Sequence, residues 1–155
     1  MLGLKRSLFF IGGWLLTLQA FTQAPPIGNW RLHHSYVGTV HLAVGDKIYA
    51  ATKEAIFSVN NTGGFEYFNK LTGLSEASIT TIQWDHETAQ LVVAHDNNNI
   101  DVIKEGLVKN IYDLVRTSSI KKINSIYCDK GMAYLATNVG VVVVNLFKYE
   151  IKESW

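Results

Sequence analysis

The sequence has little of the residues that mark several common protein classes. It holds one cysteine and two prolines in 155 residues, which excludes a disulfide-stabilised scaffold and a proline-rich linker. Fourteen basic and thirteen acidic side chains leave a net charge of +1, so no strong overall field attracts nucleic acid. Charged residues make up only 17% and hydrophobic residues 48%, a balance typical of a folded domain rather than a disordered chain.

Residues 1–24 have the composition of a secretory signal peptide. Lys5 and Arg6 precede a short apolar run, and Thr22 and Ala24 place small residues at a cleavage site. The apolar run spans about 12 residues, whereas a membrane-spanning helix needs roughly 20. We therefore predict export, with cleavage after Ala24 and no transmembrane segment once the signal is removed.

A four-strand pattern repeats three times in the rest of the chain. Similar apolar segments end at Thr52, His95 and Thr137, which are 43 and 42 residues apart. Each is followed by a short polar turn and by another strand rich in β-branched residues. The positions after the turns that we predict to be equivalent are Phe57 and Val59, Ile100 and Val102, and Val142 and Val144.

A four-strand unit at this fixed period is typical of a β-propeller blade. We predict an all-β fold: a partial β-propeller of three four-stranded antiparallel blades plus an N-terminal ring-closing strand. The closing strand is assigned to residues 25–38 and the three blades to 39–155, divided at about 39–78, 79–122 and 123–155.

Three blades are fewer than the roughly 4–8 that close a propeller ring. We therefore expect two apolar blade faces to be open in this sequence and the remaining blades to lie beyond it. Completion of the ring by several copies of the chain is the alternative. Residues 30–36 are expected to form the closing strand by completing the last blade.

Two groups of residues suggest metal binding at first sight, but neither fits a metal site. His33 and His34 are adjacent on a predicted strand and point to opposite faces, with His41 further along. The run from Asp96 to Asp101 has several oxygen donors, yet Ile100 occupies a ligand position and no glycine stands at position six. This run is predicted to be an inter-strand turn.

The other conspicuous residues also have structural interpretations. Gly63 and Gly64 follow Asn60 and are predicted to form a hairpin loop, not a phosphate-binding loop. Trp84 precedes Asp85, but this dipeptide occurs once and is not taken as a repeat signature. Cys128 lies in an apolar strand pattern and is predicted to be a buried small hydrophobe. We predict no catalytic, cofactor-binding or metal-binding residues, no cofactor, and no enzyme activity.

The mature chain opens with the motif Ile27-Gly-x-Trp-Arg-x-His-x-Ser-Tyr36. Three later motifs are Ile48-Tyr-Ala-Ala-Thr52, Leu71-Thr-Gly-Leu-Ser75 and Ile79-x-x-Ile82. Together they resemble the N-terminal propeller of PorZ-like proteins, cell-surface components of the type IX secretion system of Bacteroidota. The Leu71–Ser75 and Ile79–Ile82 motifs also resemble two-component regulator propeller repeats. The chain departs from the family at Ala55, where a turn glycine is usual, and at His34, where leucine is expected.

This resemblance implies a non-catalytic binding and scaffold module of the type IX attachment complex. Its implied partners are PorU-, PorV- and PorQ-like proteins and anionic lipopolysaccharide, and its implied location is the periplasm or the outer-membrane cell surface. The alternative is a periplasmic glycan-sensing propeller of a two-component regulator. A third hypothesis, a propeller lyase or glycosidase, requires catalytic groups in blades outside this sequence.

Overall fold

The fold is seen in a computed structural model, which describes residues 37–116 and 122–155. Within these residues the chain forms three four-stranded antiparallel sheets, each with its strands adjacent in chain order. Blade 1 contains β1 (His41–Val44), β2 (Ile48–Ala51), β3 (Ile56–Val59) and β4 (Phe65–Phe68). Blade 2 contains β5 (Ile79–Asp85), β6 (Gln90–His95), β7 (Ile100–Lys104) and β8 (Leu107–Ile111). Blade 3 contains β9 (Ile123–Asp129), β10 (Met132–Thr137), β11 (Gly140–Asn145) and β12 (Glu150–Ser154). The predicted partial propeller of three blades is confirmed.

Two predicted segments lie outside the described residues. The signal peptide, residues 1–24, does so entirely, and only the last two residues of the proposed closing strand, Val37 and Gly38, are described. Both assignments stay predictions. In the described ranges no helix combines the length and the apolar character that crossing a membrane requires.

Short 3-10 helices follow the outer strands of blades 1 and 2, and the sequence did not predict them. The first, Lys70–Thr72, begins directly after Asn69, whose side chain accepts hydrogen bonds from the Leu71 and Thr72 amides. The Thr72 hydroxyl in turn accepts a hydrogen bond from the Asn69 amide. This reciprocal cap satisfies amides that a helix start leaves without partners, and β4 ends just before it at Phe68. The second 3-10 helix is Asp113–Arg116.

Blade 2 packs between the other two blades through apolar side chains on both of its faces. One cluster joins it to blade 1 and contains Ile56, Leu74, Ile82 and Leu91 among others. The other joins it to blade 3 and is centred on thirteen buried residues, including Val92. All six residues of β6 are consequently buried. Burial on both faces explains why the inner strands are continuously apolar instead of alternating.

The turn between β6 and β7 is one residue longer than its counterparts in the other blades. The amide of Thr52 bonds to the carbonyl of Ala55, whereas the amide of His95 bonds to that of Asn99. Asn98 has a φ of 67°, the left-handed residue that a three-residue hairpin loop requires. This explains why asparagine occurs in the turn, as predicted.

Because of the extra residue, the strand after the turn in blade 2 is shifted by one position relative to the alignment of the three repeats predicted from the sequence. Ile56 pairs with Ala51 and Ile100 pairs with Ala94, so these two are the structural counterparts. In blade 3 the corresponding residue is Val141, which pairs with Ala136. Phe57 and Val142 are equivalent as predicted, but their counterpart in blade 2 is Asp101, so the prediction of Ile100 is wrong by one position.

Candidate binding surfaces

Blade 2 contains a buried polar cluster centred on Asp101. The Asp101 carboxylate lies 2.8 Å from His95 Nε2 and accepts hydrogen bonds from the amide and hydroxyl of Ser75 at 2.8 and 2.9 Å. Asn110 donates to its other oxygen at 2.9 Å. Asn99 completes the cluster by donating to the Ser75 hydroxyl. The side chains of His95 and Asp101 are fully buried.

The hydrogen bonds keep Asp101 ionised despite its burial. Burial alone raises the pKa of this carboxyl, but hydrogen bonds from His95, Asn110 and the Ser75 amide lower it below its ordinary value of 3.8. The remaining ring nitrogen of His95, Nδ1, lies 3.2 Å from the carbonyl oxygen of Ser78.

The cluster holds the connection between blades 1 and 2 in place and is not arranged for nucleophilic catalysis. Asp101 stands between Ser75 and His95, so the serine proton points to a carboxylate and not to the imidazole. Ser75 and Ser78 belong to the segment that leads from the first 3-10 helix into β5. Their contacts to His95 and Asp101 therefore fix this segment against blade 2.

The sequence candidates do not come together at one site. His33 and His34 lie outside the described residues, and His41 begins β1. Asp96 and the three asparagines form the predicted turn, whereas Asp101 lies on β7. Among residues 37–116 and 122–155, no group of three or more histidine, cysteine or acidic side chains is placed to hold a metal ion.

Three other residues that the sequence singled out have structural roles, although Cys128 is less buried than predicted. Asn60 Oδ1 accepts hydrogen bonds from the amides of Thr62 and Gly64 within the hairpin loop that joins β3 to β4. Trp84 is buried between blades 1 and 2. Cys128 is half-buried at the edge of the cluster between blades 2 and 3, and burial together with the charge of Asp85 raises its pKa to about 12.

The face of blade 1 that is turned away from blade 2 is entirely apolar. Strand register places eight side chains on it: Leu42, Val44, Ile48, Ala50, Phe57, Val59, Phe65 and Tyr67. Leu42 and Val44 are 66% and 64% exposed. The corresponding face of blade 3 exposes Tyr127 beside Tyr134. The open apolar face of blade 1 agrees with the expectation from the sequence, whereas the face of blade 3 also carries exposed Ser125 and Asp129.

These features define a class of protein: a β-propeller domain whose surfaces are suited to association, with a buried polar cluster that supports the fold. Residues 48–155 match the family described as TSS9, PorZ, N-terminal beta-propeller domain. The chain belongs to this family, as its opening and blade motifs had indicated.

Solved structures show the same architecture. A structure of PorZ, an essential bacterial surface component of the type-IX secretion system of Porphyromonas gingivalis, is 25% identical, with a TM-score of 0.70. The match covers 76% of this chain but only 17% of the PorZ chain, so this chain spans less than a fifth of that protein. No curated protein sequence matches the chain.

Two further similar structures are more distant and show the fold alone. The extracellular domain of the one-component system BT4673 from B. thetaiotaomicron is 17% identical, with a TM-score of 0.61, and the match covers 85% of this chain and 18% of that one. Apo AztD from Citrobacter koseri is 15% identical, with a TM-score of 0.56, and the match covers 76% and 34% of the two chains.

Proposed function

We propose that this domain is a non-catalytic scaffold of the type IX secretion attachment complex at the bacterial cell surface. The family match over residues 48–155 carries the proposal. It is supported by the similarity to PorZ, which is a surface component of that system. A scaffold role needs a rigid domain with accessible surfaces, and the three tightly packed blades with exposed outer faces fit that need.

The proposed partners are the attachment-complex proteins of the PorU, PorV and PorQ type, together with anionic lipopolysaccharide. They come from the family resemblance. Export by a signal peptide, with cleavage after Ala24, is part of the same proposal because these partners are outside the cytoplasm.

The test is isolation of the complex from the native host. The gene carries an affinity tag, the cell envelope is solubilised in mild detergent, and co-purified proteins are identified by mass spectrometry. We expect the PorU-, PorV- and PorQ-like proteins to co-purify and deletion of the gene to release type IX cargo from the surface. A strain with Ile82→Asp, which places a charge in the core between blades 1 and 2, should fail to co-purify these proteins and should release cargo as the deletion strain does. Normal cargo attachment in the deletion strain would contradict the proposal.

The glycan-sensing alternative has weaker support. The similarity to the BT4673 extracellular domain is confined to the fold at 17% identity. The same deletion strain separates the two functions, because loss of a sensor changes transcription of glycan-utilisation genes and leaves cargo attachment intact.

A further inference from the structure

Strand β8 is the outer edge of blade 2, and its pattern of backbone hydrogen bonds follows from the turn before it. Lys104 pairs with Leu107 across the two-residue turn formed by Glu105 and Gly106. The closing pair of such a hairpin exchanges two hydrogen bonds, and hydrogen-bonded pairs then alternate along the ladder. Lys109 and Ile111 thus bond to β7, whereas the N–H and C=O groups of Val108 and Asn110 point away from the sheet.

No other strand in the described part of the chain pairs with this edge. Exposed edges commonly carry charges or bulges that prevent pairing with another chain. The outer strand of blade 3, β12, has both: Glu150, Lys152 and Glu153, and a register shift beside it between Val143 and Val144. Strand β8, by contrast, pairs with β7 without a register shift, and Lys109 is the one charged residue in β8.

A groove runs beside β8, between the outer half of blade 2 and the turn before β12. We call it the outer groove; it has a volume of about 460 Å³ and is lined chiefly by Val102, Lys104, Leu107, Lys109 and Tyr149. Leu107 is 76% exposed there. The Lys109 amine lies 3.7 Å from the centre of the Tyr149 ring, a cation–π contact at the wall of the groove.

The side chains beside the edge specify a particular kind of strand. Leu107 and Lys109 are two residues apart, so both point to the outer groove. Residues opposite them on an added strand would lie close enough for direct side-chain pairing. An apolar residue fits opposite Leu107 and an acidic residue opposite Lys109. Lys104 adds a second positive charge to the groove against the single negative charge of Glu105.

We propose that β8 binds an extended segment of a partner protein as a fifth, antiparallel strand of blade 2. The backbone of the segment bonds to Val108 and Asn110, and its acidic and apolar side chains enter the outer groove. This inference rests on the geometry of blade 2 and does not depend on the type IX assignment.

The test uses the full chain, labelled with nitrogen-15, and the acetylated peptide Thr-Glu-Val-Leu-Val-Thr. In antiparallel pairing its glutamate lies opposite Lys109 and its leucine opposite Leu107. We expect chemical-shift changes centred on β8 and slower amide exchange at Val108 and Asn110. The same peptide with its first valine replaced by proline loses a backbone donor and should bind more weakly or not at all.

Surface variants test the side-chain contacts. Leu107→Lys and Lys109→Glu should each weaken peptide binding roughly two- to fivefold. Both positions are exposed enough for the variants to fold, and Lys109→Gln provides a milder form of the second change. The matched controls Leu71→Lys and Lys152→Glu, on other elements, should bind as the parent does.

Three outcomes overturn the proposal. One is equal binding of the valine and proline peptides, and another is peptide-induced protection confined to residues outside β8. The third is concentration-dependent dimerisation without peptide that protects Val108 and Asn110, which would assign this edge to a second copy of the chain.

Discussion

Trp84 stacks on Tyr49 across the boundary between blades 1 and 2, with ring centroids 5.5 Å apart and planes inclined by 19°. The two residues come from β5 and β2, so the stack joins strands of different sheets. Tyr49 also donates a hydrogen bond to Asp46, and burial together with this contact raises the pKa of its hydroxyl. The pair therefore combines aromatic packing with a satisfied polar group at the boundary.

The close approach of Trp84 requires glycine at position 45. A Cβ atom at Gly45 would lie 2.2 Å from two atoms of the Trp84 ring, so the ring must shift to admit any side chain. We expect Gly45→Ala to lower the free energy of unfolding by about 2 kcal/mol through this overlap. Urea denaturation measures the change.

The double variant Gly45→Ala/Trp84→Leu is the control for this prediction. A smaller side chain at position 84 removes the overlap, so the two substitutions should cost less together than the sum of their separate effects. Strict additivity would contradict the steric explanation.

Asp101 should make stability depend on pH in the acidic range. Its pKa is lower in the folded chain than its ordinary value of 3.8, so the carboxylate stabilises the fold above that pH and the contribution is lost as pH falls below it. We expect Asp101→Asn to lower stability at neutral pH by about 3 kcal/mol, because it leaves His95 and Ser75 without a charged acceptor.

The free energy of unfolding, measured by urea denaturation between about pH 3 and pH 7, tests whether stability falls on acidification as predicted. The Asp101→Asn variant should show a smaller loss of stability on acidification than the parent. Asp96→Asn changes an exposed carboxylate in the adjacent turn and should preserve the parent's curve. If the stability of the Asp101→Asn variant falls with pH in parallel with that of the parent, Asp101 is not responsible for the loss of stability at acidic pH.

The repeat made most of the fold predictable because each blade uses the same hydrophobic pattern. Thr52 and Thr137 hold equivalent turns by bonding to the carbonyls of Ala55 and Gly140. These contacts are local, within three residues of each other in sequence. Local interactions and a fixed period are what reasoning from a single sequence recovers best.

The polar cluster was missed because its contacts span distant parts of the sequence. Asp101 accepts a hydrogen bond from Ser75, 26 residues earlier, and no local sequence pattern predicts this contact. A signal was nevertheless present in blade 2 alone: His95 replaces the threonine of the other repeats, and Asp101 interrupts an apolar strand. Two polar changes at buried positions of one repeat indicate that the residues satisfy each other.

Cys128 should react slowly with alkylating reagents in the folded protein. Burial and Asp85 raise the pKa of its thiol to about 12, so at pH 8 the reactive thiolate is about a thousandfold scarcer than for an ordinary cysteine. Iodoacetamide labelling followed by mass spectrometry should be slow in buffer and fast in denaturing urea. The variant Cys128→Ser/Ser154→Cys, with its thiol on the exposed end of β12, should label rapidly without urea. Equal labelling rates of the two folded proteins would contradict the assignment.

The two-residue turns at Glu105-Gly106 and Lys130-Gly131 offer a route to higher stability. Both residues of each turn have positive φ: 51° and 80° in the first, 49° and 75° in the second. Such turns favour asparagine followed by glycine, because asparagine tolerates the left-handed conformation better than glutamate or lysine. We expect Glu105→Asn and Lys130→Asn each to raise the free energy of unfolding by about 0.5 kcal/mol.

Thermal and urea denaturation of the single and double variants test this prediction. The turns belong to different blades, so their effects should add. Gly106→Ala serves as the opposite control, since an added Cβ there meets no atom within 4 Å and any loss reflects backbone conformation alone. We expect that loss to be about 1 kcal/mol. If Glu105→Asn instead lowers the free energy of unfolding, the prediction is wrong. The contacts of the glutamate side chain would then stabilise the turn by more than its left-handed backbone conformation costs.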